Sequence, residues 1–326
     1  MVLSSRVLSL TQFAPAACSV TAVFLWGTSD FAGGYASRRV NAFTLTAFSH
    51  ICAFVLMFLI ALGQGAAFPS RASVLWAFLA GAIGGFSLAI FYRALASGQM
   101  SVTAPIAALL GAAIPALADI ALEGAPRRWT MAGFVVAIVA IWLITRPEQT
   151  SLSANRQPVQ RPDGIDVEPQ AWSRETEGEE RMPEFEPDSS GHPKGVALAA
   201  LAGVGFAAFY LCIHQAHGSS AWIAVVARVG SFIATAIAVV ATRAPLALDR
   251  FRVALGAFAG FLDISASALF VFASQRGRLD EAVVITSLYP AVTVLLARLV
   301  LKEHLSRWRF VGLLAALVAV PMIAAG

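Results

Sequence analysis

The chain alternates long apolar blocks with short polar interruptions, and the blocks share one recurrent size. Ten of them stand out, at 17–34, 43–63, 74–95, 102–122, 129–145, 196–212, 221–241, 253–274, 282–301 and 310–325. A helix of about twenty residues rises ~30 Å, the thickness of a bilayer's hydrocarbon core. The strict apolar–polar alternation that marks an outer-membrane barrel is absent from the sequence. The pattern therefore predicts an all-α, polytopic membrane protein with ten transmembrane helices. The blocks are dense in small residues, with AGAIGG in the third, GVG in the sixth and GAFAG in the eighth. Lipid supplies no hydrophobic force between helices, so surfaces that let backbones approach closely predict where they pack.

One segment breaks the pattern. Residues 146–194 are rich in Pro, Glu, Arg, Ser and Gln and show no apolar periodicity. Such a stretch buries too little to offset the entropy of ordering it, and reads as a disordered acidic linker. It separates a five-helix segment at 1–145 from a second at 195–326. Composition agrees: 58% of residues are hydrophobic and only 13% charged, where a soluble domain carries about 25% charged residues. The net charge of +4 is uneven, because the linker holds six basic and eleven acidic residues. The remaining basic excess flanks helices, a membrane pattern that does not point to nucleic acid. Cys18, Cys52 and Cys212 lie far apart in apolar blocks and suggest neither a disulfide framework nor a zinc site. At the N-terminus, Arg6, VLSL and FAPAAC have the outline of a signal peptide. Ser, Thr, Gln and Pro interrupt that stretch and a spanning block follows at once, so an uncleaved segment is expected.

The two halves are related. Sliding the chain by 179 residues lays 89–140 on 268–319 without a gap, and sixteen of the fifty-two positions are identical. The rarer matches carry the argument: Gly98 with Gly277, Arg128 with Arg307, Trp129 with Trp308, and Gly133 with Gly312. An internal repeat of this kind predicts two copies of one architecture. Five helices is an odd number, so the second copy enters the membrane from the opposite side. Inverted repeats of this sort suit alternating access, with substrate held near the midplane between them.

The sequence LYPAVTVLLARLVLKEHLSRWRFVGLLAALVAVPMI resembles the closing helix pair of EamA-type proteins of the drug/metabolite transporter superfamily, and FLWGTSDFAGG resembles their opening helix. The resemblance covers the chain apart from the linker. It implies two inverted EamA domains and movement of small organic metabolites or drugs, often outward, with cytoplasmic termini. Three departures stand beside it: Gly111 where the second half has Pro290, EGAPRR where it has KEHLSR, and the long acidic linker. With both termini inside, the loops and tail on that side hold six basic residues against eight opposite, so the positive-inside rule leans weakly the other way.

Ionisable groups inside apolar blocks each need a reason, at ~2.5–3.5 kcal/mol apiece on insertion scales. Asp263 lies near the centre of the eighth block and Arg228 well inside the seventh. Each neutralises the other most economically, either as a structural pair or as a substrate contact. Asp30 follows Trp26 by one helical turn, and an indole and a carboxylate on one face suit an organic cation or an amine-bearing metabolite. An interfacial Trp and a helix-end Asp are the alternative. Asp119 and Arg298 occupy equivalent places near block ends, where snorkelling or contacts between the halves are expected. Pro105, Pro115 and Pro290 interrupt the fourth and ninth blocks, where disrupted helices would border a site or merely kink, and Tyr289 beside Pro290 offers a hydroxyl. With Tyr210 of the sixth block, the candidate substrate-binding set is Trp26, Asp30, Tyr210, Arg228, Asp263 and Tyr289. His214 and His217 share a face but have no carboxylate or cysteine nearby in sequence, which makes a poor metal site. No catalytic residue, metal or cofactor is expected.

The sequence thus suggests a secondary transporter or exporter in a plasma membrane of the bacterial inner-membrane type, with proton coupling through Asp30 or Asp263 open. Its expected partners are the bilayer and a small-molecule substrate, with a homodimer left open. A membrane-embedded enzyme acting on lipid or polyprenyl substrates is the rival, and it lacks the interfacial cluster such chemistry needs. A signalling scaffold acting through the linker is the third reading.

Overall fold

The computed structural model describes residues 2–123, 128–145, 192–246, 250–276, 285–286, 288–303 and 306–324. Ten long helices occupy them: α1 (Val2–Ala36), α2 (Ala42–Gln64), α3 (Arg71–Ser97), α4 (Met100–Glu123), α5 (Arg128–Thr145), α6 (His192–His214), α7 (Ser220–Ala241), α8 (Arg250–Arg276), α9 (Tyr289–Val300) and α10 (Arg307–Ala324). Polar punctuation sets the boundaries. Asn41 caps α2 by accepting the amide hydrogens of Phe43 and Thr44, and Ser70 caps α3 by accepting that of Ser73. Gly65 ends α2 in a left-handed conformation, φ 58°.

Two elements depart from the sequence blocks. α1 begins well before residue 17 and runs unbroken through Pro15. The ninth block is helical at 285–286, turns at Leu288 and resumes as α9 at Tyr289, so Pro290 sits in the first turn after a break in the block. There proline costs little, because the amide it lacks would have no intrahelical partner. Pro105 and Pro115 do lie inside α4. Residues 146–191, nearly all of the predicted linker, lie outside the described residues.

The helix neighbours obey a rule. α1 packs on α8 as α3 packs on α6; α2 on α8 as α7 on α3; α1 on α9 as α6 on α4. The pairs α2–α7, α4–α9 and α5–α10 map onto themselves. Exchanging each helix for the one five places away therefore preserves these six pairings among the described residues, as two inverted five-helix repeats require, while contacts such as α4–α10 and α2–α3 have no counterpart of that extent. Small residues make these contacts. Ser49 Oγ of α2 donates to the Gly256 carbonyl of α8 at 2.8 Å, and Ser231 Oγ of α7 donates to the Gly81 carbonyl of α3 at 2.8 Å. A Cβ on Gly81 would overlap the Ala227 carbonyl, and one on Gly230 would overlap that of Phe78.

Large apolar side chains face outward instead. On α5 the exposed Met131, Val135, Ile138 and Trp142 form one stripe, a surface suited to lipid. Among the described residues α2, α3, α6, α7 and α8 are long and apolar enough to cross a bilayer, with shorter apolar stretches in α4, α5 and α9.

Candidate functional site

Helix α1 carries Trp26, Ser29, Asp30 and Gly33 close together, and α8 and α9 of the other repeat, with α3 of its own, supply their surroundings. Ser29 Oγ donates to the Ala259 carbonyl of α8 at 2.8 Å, which pins α1 to α8 beside Asp30. Gly33 leaves room for the ring of Tyr92 from α3, since a Cβ there would overlap that ring. The buried Tyr92 hydroxyl lies beside Ser29. Trp26 meets Phe270 of α8 with ring centroids 5.7 Å apart, and Tyr289 of α9 edge-on at 6.2 Å. α1, α8 and α9 thus form an aromatic wall one turn from a carboxylate.

The second part of the site joins α2, α7 and α8. Arg228 Nη2 donates to Asp263 Oδ2 at 2.7 Å. Arg228 Nη1 lies 3.5 Å from His50 Nδ1. For Nδ1 to accept from a guanidinium it must be unprotonated, which places the ring hydrogen on Nε2. Among the described residues that buried nitrogen has no partner at full hydrogen-bond geometry, although the Gly85 backbone lies near the ring. The ion pair is not sealed: the side chains of Arg228 and Asp263 retain 17% and 22% of their exposure in mid-helix.

Asp30 differs. It is 8% exposed and has no hydrogen bond or ion pair to any described residue. Asp263 lies within electrostatic reach, but Arg228 already neutralises it. Three of the chain's four tyrosines, Tyr92, Tyr210 and Tyr289, also lie within electrostatic reach of Asp30. Tyr210 is 52% exposed and lies within electrostatic reach of both carboxylates. Among the described residues the region holds two carboxylates and one guanidinium, and so a surplus of one acidic group.

The family model of the EamA-like transporter family matches residues 15–146 and again 193–325. This chain belongs to the EamA-like transporter family. One solved crystal structure, of a protein described in no more specific terms, aligns with 95% of this chain and 96% of its own at a TM-score of 0.57. At 16% identity that likeness shows the fold alone. No curated protein matches. As an EamA-like transporter, the chain is a multi-pass protein of a lipid bilayer that handles small molecules, and the two matched regions are its repeats.

All six sequence-predicted site residues of this EamA-like chain fall in or beside the cluster. Asp30 is buried and is not the end of its helix, because α1 continues to Ala36. Arg298 is exposed at the end of α9, and the Asp119 side chain lies outside the described residues. His214 and His217 are exposed and away from the cluster; the His217 amide donates to Ser73 Oγ at 3.0 Å. Sequence reasoning missed His50, Tyr92, Ser29 and Phe270. The signal for His50 was available, since it is an ionisable residue inside the second apolar block. Tyr92 and Phe270 are ordinary residues of apolar blocks and carry no such mark.

Proposed function

We propose that this protein is a non-enzymatic secondary transporter that moves small amine-bearing organic solutes across a bacterial-type plasma membrane by alternating access. The substrate ammonium pairs with Asp30, and its apolar body lies against Trp26, Phe270 and Tyr289, with Tyr210 at the open side. Arg228 and Asp263 form the adjoining polar wall. The observation that carries this reading is the Asp30 carboxylate, buried with no cation among the described residues to neutralise it. A carboxylate in a medium of low polarity requires a proton or another positive charge. Aromatic faces beside it add cation–π attraction for an ammonium. Proton and ammonium then exclude one another at Asp30, which couples the flux of one to the opposite flux of the other.

The test is a flux screen of organic amines, amino acids and neutral drugs in proteoliposomes under an imposed pH gradient. Amines should move, each counterflowing with protons, and Asp30→Asn should abolish both fluxes while the protein remains folded. Selective movement of neutral or anionic solutes, or full coupling in Asp30→Asn, would sink the proposal.

A further inference from the structure

At the opposite end of α9 from Tyr289, the turn between α9 and α10 reaches across to the other repeat. Lys302 adopts a left-handed conformation, φ 53°, which is unfavourable for a side chain of this kind and sharpens the turn. The next residue, Glu303, is seated on the first turn of α4. Its Oε1 accepts the Met100 amide hydrogen at 3.0 Å; its Oε2 accepts the Ser101 amide at 3.1 Å and the Ser101 hydroxyl at 2.7 Å. Arg38, from the turn between α1 and α2, approaches Oε1 at 3.5 Å, and the Glu303 side chain is only 9% exposed. Burial lowers the pKa of Arg38 and the facing Glu303 raises it again. A second tie lies alongside, where Arg309 Nη1 of α10 donates to Gln99 Oε1 at 2.6 Å.

Every one of these contacts joins the first repeat to the second, and all lie on the face where α1, α3 and α9 end. In the 179-residue repeat the opposite face does not carry the same residues at the matching positions. Gly124 stands in the place of Glu303, Thr130 in that of Arg309, and Asp280 in that of Ser101. Glycine has no carboxylate to offer, and an aspartate would repel one. Gly124 and Asp280 lie outside the described residues, so the contrast rests on sequence alone.

We infer that Glu303 is a gating residue: its carboxylate latches the α9–α10 turn to the start of α4 and holds this face of the transporter shut. The inference rests on the alternating-access part of the proposed function. Halves that move against one another must break a cross-repeat tie whenever the tied face opens. A latch on one face only then biases the resting protein toward opening on the face of its termini.

The test needs no substrate. In the full chain with Cys18, Cys52 and Cys212 replaced by Ser, a single cysteine at Tyr210 reports access to the central space. Impermeant thiol reagents are applied to each face of vesicles of one orientation. Glu303→Gln should raise labelling from the latched face by about tenfold, the loss of one hydrogen bond to a charged group, and lower it from the other face. Ser101→Ala, which keeps the carboxylate and removes one donor, should move both rates the same way by less. A cap with only a structural role would lower thermal stability and leave the ratio of the two rates unchanged, and that result overturns the latch. Redistributed labelling in the reporter protein together with absent amine flux in the protein that keeps Tyr210 and Glu303 would uphold the latch and reject the substrate assignment. Normal amine flux in that protein with an unchanged labelling ratio in the reporter would do the reverse.

Discussion

At Arg228 one guanidinium serves two helices, donating to Asp263 and facing His50. Removing either charge of such a pair leaves the other uncompensated, at a cost of ~3–5 kcal/mol, while replacing both can be nearly neutral. Asp263→Asn and Arg228→Gln should therefore each lower the folded yield in detergent chromatography, and the double variant should recover it. Transport by that recovered protein would make the pair structural, whereas a folded but inactive double variant would place it in the solute path. Asp263 and Arg228 were legible because charge inside an apolar block is conspicuous. Asp30 was legible only in part, since its burial depends on how far α1 continues beyond it. Tyr92 was not legible at all, because its place beside Asp30 depends on the gap left by Gly33 on another helix.

Among elements, α3 and α7 approach through Gly81 and Gly230, each against backbone of the other helix. A methyl group there cannot be absorbed by a flexible side chain, so the helices must part. Gly81→Ala should cost ~1–3 kcal/mol and lower the Tm measured in detergent. Gly63 lies near the end of α2 with nothing within 4 Å of an added Cβ. Gly63→Ala should hold or raise Tm, by ~0.5–1 kcal/mol of helix propensity. A lowered Tm at Gly63 and none at Gly81 would contradict this packing. The AGAIGG pattern had marked the α3 surface in advance, whereas Gly230 of α7 lies in no such pattern. What the pattern could not give was the partner, because apolar helices rich in alanine fit one another in many ways. The start of α9 escaped for a different reason: hydropathy measures a block's length and is blind to the turn in which a proline falls.

For the whole molecule, inversion makes a prediction that depends on neither substrate nor site. In the cysteine-free protein, single cysteines in the 123–128 and 302–307 turns should react with an impermeant reagent from opposite faces. Reaction of both from one face would refute the inverted arrangement. Residues 147–189 contain no apolar block, and deleting them should leave flux intact if they only connect the repeats; lost flux would give them a larger role. The closest helix pairs run between repeats, α3 with α6 and α7, and α1 with α8. A ribosome makes the chain in order, so the Gly81 face of α3 enters the membrane long before α7 exists. The gap from Thr145 to His192 adds a wait of roughly 2–10 s at ordinary elongation rates of ~5–20 residues per second. Throughout it the nascent first repeat sits in lipid with its glycine surfaces unmatched. Made alone, that repeat should be degraded or pair with itself. Made beside a separately encoded second repeat, it should assemble into working transporter, because the pairing surfaces need proximity in the membrane and no covalent join.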